Sequence, residues 1–398
     1  MSKIDELIAK LCPDGVEYRE LGSLLSYEQP TKYLVSSTAY SDDYETPVLT
    51  AGKTFILGYT NDEEGIYPSS PEAPVIIFDD FTTDFKWVDF PFKAKSSAMK
   101  MLHANGPQWN LRYVFHAMQT LSFVPQGHKR HWIGVYSHLE IPVPPMEIQK
   151  EIVKVLDSFI TLEAELEAEL EARKAQYGYY RNQLLSIVSL EQMDDDDVPI
   201  RQLKDVADIG GGHTPPKSDS SNYDNGCIPW VTSKDVKEPH LSTTGIAISK
   251  SGARSLTLYP RDSIVVVLRS GILKRHFPVA MLDVPMTVNQ DIKAVTVRDE
   301  DRLLPRFLFH CIDSQGNKIL AASHRAGGTV DSVPLDDFKR VQIPVPSLAT
   351  QQKVVDILDR FDALTTSLTD GLPAEIKARC QQYNHYRDQL LSLPRKSS

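Results

Sequence analysis

The tetrapeptide Ile141-Pro-Val-Pro144 returns as Ile343-Pro-Val-Pro346, 202 residues later. Between residues 141–159 and 343–361, 9 of 19 positions are identical. The register then slips by four residues, and 168–186 against 374–392 keeps 12 of 19, ending in Tyr180-Arg-x-Gln-Leu-Leu-Ser186 and Tyr386-Arg-x-Gln-Leu-Leu-Ser392. A repeat this close marks a duplicated element, so the fold must seat the same structure twice. A fainter match, Val16-x-Tyr-Arg-x-Leu21 with Val198-x-Ile-Arg-x-Leu203, opens each half and splits the chain into tandem halves, 16–190 and 198–396.

Each repeated block reads as a helix entered through proline, which is tolerated only before or in the first turn. Ile152, Val155, Leu156, Phe159, Leu162, Leu166, Leu170 and Tyr177 recur at three- and four-residue steps. A run from 146 to 187 would be on the order of 60 Å long. Such a helix cannot bury its apolar stripe alone, and the other copy is the expected antiparallel partner. Gly371 and Pro373 fall in the four-residue insertion and predict a break in the second helix.

The segments between are strand-like. Pro74-Val-Ile-Ile-Phe78 through Phe92 alternates β-formers, as do Ser263–Leu268 and Ile292–Val297. The aromatic run Phe78 to Phe92 reads as core rather than as a base-stacking face. The expected class is α+β: two β-rich mixed domains joined by two long helices packed as an antiparallel coiled-coil pair, in a tandem pseudo-twofold repeat. The expected division is a first domain at 1–140, a spacer helix at 141–190, an acidic linker at 191–198, a second domain at 199–342, and a second spacer helix at 343–393, broken near 371–373.

Charge narrows the function. The net charge is -10, and residues 141–198 alone carry thirteen acidic against five basic side chains. A simple basic coat for nucleic acid is excluded, although 199–342 has nineteen basic against sixteen acidic residues and allows local basic surfaces. Four cysteines without a CxxC exclude a disulfide scaffold and a zinc ribbon and fit a reducing cytosol. No apolar stretch is long enough to cross a bilayer and the first residues lack a signal-peptide pattern, so a cytoplasmic location away from membranes is expected.

The chain resembles the specificity subunit of type I restriction-modification systems over almost its whole length. The carriers are Cys12-Pro-Asp-Gly-Val-Glu-Tyr18, Asp208-Ile-x-x-Gly-x-x-Thr-Pro-Pro216, Ile228-Pro-Trp230, Asp235, Val288-Asn-Gln290, Gly328-Thr329 and both IPVP-helix blocks. The resemblance implies two target-recognition domains, each reading half of a split, asymmetric site on double-stranded DNA. The helices would act as a ruler and as a docking surface for two methyltransferase subunits, which restriction subunits with helicase and nuclease activity join. It implies a non-catalytic chain without a cofactor, with S-adenosylmethionine, ATP and magnesium on the partners. In keeping with that, the sequence holds no Walker A motif, no Gly-rich cofactor loop after a strand and no Pro-Pro-aromatic methylase tetrapeptide. A rod holding two similar domains apart also suits half-sites about one helical turn, near 34 Å, apart.

Base edges are read by Arg or Lys at guanine and by Asn or Gln at adenine. Candidates in the first half are Lys95, Lys100, Asn105, Gln108 and Asn110, with the basic loop His128-Lys129-Arg130-His131 for phosphate. In the second half they are Lys217 and Lys234 flanking Trp230, the loop carrying Arg269, Lys274 and Arg275, the loop carrying Arg325 and Thr329, and Asn289-Gln290 of the family's strand region. Tyr180-Arg181 and Tyr386-Arg387 are candidates for fixing the domain–helix joint or for docking a methyltransferase subunit. Gly210-Gly-Gly-His-Thr-Pro-Pro216 reads as a flexible turn rather than a phosphate loop. No metal site is expected. The rival functions are a self-contained nuclease built on Asp283, Asp291 and Lys293, and a coiled-coil scaffold that binds protein.

Overall fold

A computed structural model describes residues 3–52, 54–125, 127, 129–194, 196–326, 330–366 and 371–396. The chain divides into two compact units: unit 1 is 1–167 with 375–398, and unit 2 is 168–374. The division runs through the long helix Met146–Leu184, so each unit owns the first part of one repeated helix and the last part of the other.

Unit 1 is built on a four-stranded antiparallel sheet, in order Leu25–Glu28, Met99–Ala104, Val75–Asp79 and Phe85–Val88. The central strand Val75–Asp79 is buried on both faces over its first four residues, which accounts for its unbroken apolar run. Phe78 and Phe92 are fully buried, and Phe85, Trp87 and Phe90 pack half-buried against the core, whereas Phe81 of the same run is exposed. A smaller sheet joins Ile56–Thr60, Thr46–Leu49 and Lys93–Ala94, and the strand Glu17–Glu20 pairs with Glu140–Val143. The helix Leu111–Met118 packs its apolar face into the core with Ile148, Ile152 and Leu156 of the long helix.

Unit 2 carries a five-stranded sheet, in order Ala207–Gly211, Ile292–Val297, Ile264–Val267, Val279–Leu282 and His240–Leu241. A three-stranded sheet joins Ala247–Ile248, Ile228–Val231 and Thr287–Val288. Ile200–Gln202 pairs with Gln342–Pro344, as Glu17–Glu20 pairs with Glu140–Val143 in unit 1. The helix Pro305–Ser314 is the counterpart of Leu111–Met118, and it packs with Val354, Val355 and Leu358 of the helix Leu348–Thr366.

The helical reading holds with two refinements. The first long helix passes through Gly178 and ends at Leu184, and a separate helix, Ile187–Asp194, follows. The second block forms two helices, Leu348–Thr366 and Leu372–Leu391, with Pro373 in the first turn of the latter, where its missing N–H costs nothing. The Gly210–Gly212 run is not a flexible turn. Gly210 and Gly211 lie in the edge strand, where a Cβ on Gly210 would strike the Tyr259 ring, and one on Gly212 would strike the Val288 carbonyl. Glycine is there for close backbone approach.

Candidate nucleic-acid interface and the joints behind it

The duplicated helices meet the domains through matching polar joints. In unit 1, Arg112 Nε and His116 Nε2 donate to Asp157 Oδ1 at 2.8 and 2.9 Å. In unit 2, Arg306 Nε and His310 Nε2 donate to Asp359 Oδ1 at 2.7 and 3.0 Å. Both histidines are fully buried. Burial alone would raise the Asp157 and Asp359 carboxyls, but the donors from His and Arg outweigh it and hold both below the usual range. Burial pushes the His116 imidazole down. Arg112 lies over Phe115 at 5.1 Å and Arg306 over Phe309 at 4.9 Å, so the guanidinium planes are also packed alike.

A glutamine completes each joint. Gln149 Oε1 accepts from Asn110 N at 3.1 Å while its Nε2 donates to the Pro144 carbonyl at 2.8 Å. Gln351 accepts from Leu304 N and donates to the Arg302 and Pro346 carbonyls, each at 2.8 Å. These side chains satisfy the Pro144 and Pro346 carbonyls at the entry of each repeated helix and tie them to backbone groups just ahead of the helices Leu111–Met118 and Pro305–Ser314.

The other copy's helix closes each joint. In unit 1, the Tyr383 hydroxyl lies 3.0 Å from His116 Nδ1 and 2.7 Å from Gln119 Oε1. Tyr386 stacks on Phe159 with centroids 5.3 Å apart, and the Cys380 thiol donates to Glu163 at 2.6 Å. In unit 2, Tyr177 and Tyr180 pack on Phe361, Tyr177 hydrogen-bonds Asp362, and Arg181 pairs with Asp313. Arg387 pairs with Asp388 and reaches Gln119. The two arginines are thus engaged inside their own units, while the rings of Tyr180 and Tyr386 stay partly exposed.

His310, Asp359 and Asp362 are close enough to hold a cation. Arg306 already pairs with both carboxylates and occupies the charge position a metal would take.

The candidate contact residues sort into three groups. Lys100, Asn110 and Asn289 are structural, which corrects their assignment to DNA. Lys100 is buried and pairs with the buried Asp80 at 3.2 Å, its ammonium 4.3 Å from the Tyr27 ring centroid. Asn110 caps the helix Leu111–Met118 by accepting from Arg112 N and Tyr113 N. Asn289 is buried and accepts from Asp291 N. Asn105 and Gln108 are exposed but bend back to the Ser23 and Asn105 carbonyls, Lys95 lies 5.8 Å from the Tyr40 ring centroid, and Gln290 accepts from Thr214.

The third group is open. Lys129 and Arg130 are exposed on a loop pinned where His131 N and Trp132 N both donate to Asp80 at 2.8 Å. The buried Lys100 neutralises that anchor, so it acts on the loop from behind. In unit 2, Arg269 and Arg325 both pair across Ser332, and a short helical turn capped by Ser270 presents Lys274 and Arg275 next to them. Arg269, Lys274, Arg275, Arg325, Lys217 and Lys234 are exposed, and among the described residues none of the six makes an ion pair. Thr329 and His128 lie outside the described residues.

The nuclease geometry is not met. Asp283 follows the strand Val279–Leu282 at the Asp262 end of the sheet, and Asp291 precedes Ile292–Val297 at the Leu268 end. Six residues of strand separate them, on the order of 20 Å. Asp283 faces His240 Nδ1 at 2.9 Å instead.

Two blocks of the chain, residues 13–172 and 195–378, match the family model for the type I restriction modification DNA specificity domain. With its duplicated joints and two β-rich units, the chain belongs to the specificity subunits of type I restriction-modification systems, the non-catalytic DNA-recognition components of those complexes. Its sequence is 46% identical over 409 aligned positions to the EcoR124I/EcoR124II specificity subunit of Escherichia coli, covering 99% of this chain and 98% of that one. It is 29% identical to a putative specificity subunit of Haemophilus influenzae, over 71% of this chain and 72% of the relative. The fold also resembles the crystal structure of an S subunit from M. genitalium, with a TM-score of 0.53 and 13% identity over 94% of this chain and 96% of that one. No helix among the described residues is long and apolar enough to cross a membrane.

Proposed function

We propose that each unit reads one half of a bipartite, asymmetric site on double-stranded DNA, and that the repeated helices pair antiparallel under a pseudo-twofold and set the gap. The observation that carries this reading is the double occurrence of one joint, Arg-His-Asp-Gln, beneath two differently built sheets. A common mount with unlike heads is what an asymmetric site requires. Pairing of the helices is supported within unit 1, where Phe159 meets Tyr386 and Glu163 meets Cys380, an opposite order along the two helices. In unit 2, the open basic set is Arg269, Lys274, Arg275 and Arg325, together with the exposed Lys217 and Lys234; in unit 1, it is Lys129 and Arg130. Exposed guanidinium and ammonium groups that make no ion pair among the described residues are free to meet phosphates and guanine edges.

Two methyltransferase subunits dock on the helical region, restriction subunits join them, and S-adenosylmethionine, ATP and magnesium act on those partners. The division into reading domains 1–140 and 199–342, spacer helices 141–190 and 343–393 and linker 191–198 belongs to the same proposal. The chain's negative total charge implies weak DNA binding alone and tight binding once a basic partner completes the clamp. The test is a mobility shift on duplex DNA with and without the methyltransferase subunit. Sequence-selective binding that needs the partner supports the reading. Absence of any selective complex with the partner refutes it.

A further inference from the structure

The two main sheets differ in strand number, but one strand pair ends alike in both. In unit 1, Val75–Asp79 runs antiparallel to Met99–Ala104, and the last rung sets Asp79 against Met99. One residue on, Asp80 N donates to the Ala98 carbonyl at 3.0 Å, and the Asp80 carbonyl accepts from His131 N at 2.8 Å. In unit 2, Ile264–Val267 runs antiparallel to Ile292–Val297, and the last rung sets Val267 against Ile292. One residue on, Leu268 N donates to the Asp291 carbonyl at 3.0 Å, and the Leu268 carbonyl accepts from Val333 N at 2.9 Å. His131 stands ten residues before Ile141, and Val333 ten before Ile343. The same junction is therefore built twice, at the same chain distance from each repeated helix.

Both junctions carry exposed positive charge, delivered by different residues. Arg130 precedes His131, with Lys129 before it. The counterpart ahead of Val333 is the neutral Ser332, which pairs with Arg269 and with Arg325. All four basic side chains are exposed, and they make no ion pair among the described residues. Each junction also holds a buried carboxylate with a basic partner. Asp80 pairs with Lys100 at 3.2 Å, and Asp331, next to Ser332, pairs with His324 at 2.8 Å. The exposed cations thus stand on backbone that is tied down from behind.

We infer that the junction is a phosphate clamp present once in each unit, formed by Lys129 and Arg130 in unit 1 and by Arg269 and Arg325 in unit 2, and that base reading falls to side chains outside it. The inference rests on the reading above, in which the units address unlike half-sites. A feature placed alike in both units suits what unlike half-sites share, and that is the phosphate backbone. The change of residues with the charge kept fits the same demand. A phosphate needs positive charge close by, whereas a base edge needs donors and acceptors at set positions.

The test uses the full chain assembled with the methyltransferase subunit of the same system. Two paired variants, Lys129→Ala with Arg130→Ala and Arg269→Ala with Arg325→Ala, are each expected to weaken binding to the target duplex about tenfold or more. Each pair is also expected to make the slope of log K against log salt shallower by about two. Affinity for unrelated duplex DNA falls by a similar factor, and the methylated sequence mapped across the genome stays the same. Arg269→Lys with Arg325→Lys keeps the slope. Because all four side chains are exposed, the variants keep the unfolding temperature of the unaltered chain. A changed or relaxed base preference in either half, or a slope that fails to move in either alanine pair, overturns the inference and leaves the reading above intact. An unmodified complex with no bipartite sequence preference overturns both.

Discussion

Replacing Gln149 by alanine removes two hydrogen bonds from the base of unit 1. The side chain is 2% exposed, and its loss strands the Asn110 N–H and the Pro144 carbonyl. A stranded buried group costs about 1–3 kcal/mol, and Asn110 is only partly buried, so the expected loss is about 3 kcal/mol. Gln351 is fully buried and serves three backbone groups, so Gln351→Ala is expected to cost more, about 4 kcal/mol. For a unit of this size, each kcal/mol lowers Tm by roughly 2–4 °C, which puts the two shifts at about 9 and 12 °C. Gln149→Glu keeps the acceptor but sets an oxygen against the Pro144 carbonyl, and it is expected to lose nearly as much. Calorimetry gives the size of the loss, and hydrogen exchange read by region gives its place. Gln149→Ala should speed exchange at Asn110–Met118 and Met146–Leu156, and Gln351→Ala should do so at Leu304–Ser314 and Leu348–Leu358. Losses under 1 kcal/mol, or faster exchange spread evenly over both units, would refute the argument that these glutamines lock the helix entries.

Lys100→Met leaves the Asp80 carboxylate buried without its cation and is expected to cost about 3–5 kcal/mol, with loosening of the loop at 129–132, measured by denaturant unfolding and hydrogen exchange. Arg269→Ala and Arg275→Ala are expected to weaken DNA binding by the assembled complex several-fold. If these side chains meet phosphate, the slope of log K against log salt becomes shallower by about one per residue in a salt titration. Stability should fall with acid in two stages. The His116 imidazole is held below its ordinary value near 6.5, so its protonation favours the unfolded chain, and the loss begins as pH drops below about 6.5. Asp157 and Asp359 are held below the carboxylate range, so their contribution is complete above about pH 4 and is lost below it. Tm measured from pH 8 to 5 should decline less in His116→Gln than in the unaltered chain.

Much of the helical frame was legible because the duplication wrote it twice. The IPVP entries, the stripe from Ile152 to Tyr177 and the insertion at Gly371 and Pro373 each fixed an element. The joints were less legible. Asp157/Asp359 and Gln149/Gln351 stood out as identities, but their donors sit at a third offset, where Arg112-x-x-Phe-His116 returns as Arg306-x-x-Phe-His310 in otherwise unlike segments. That short repeat was the available signal. The contact residues were the least legible, because residue type does not report burial. Lys100 and Arg269 are both basic residues in or beside a strand, yet a buried aspartate claims the first and water the second. Asn110 and Asn289 have the chemistry to read adenine, but local backbone N–H groups were nearer partners. The glycine run misled for a related reason: glycine serves both pliant turns and strands crowded by a neighbour, and only the position of Val288 tells them apart.

The most direct test of two unlike readers on a shared mount is to replace residues 199–342 with the corresponding segment of a specificity subunit that has a different target. Methylated sites are then mapped across the genome of cells expressing the chimaera with its methyltransferase. The account predicts that one half-site changes while the other half and the spacing between them stay as they were. Change in both halves, or in neither, would contradict it.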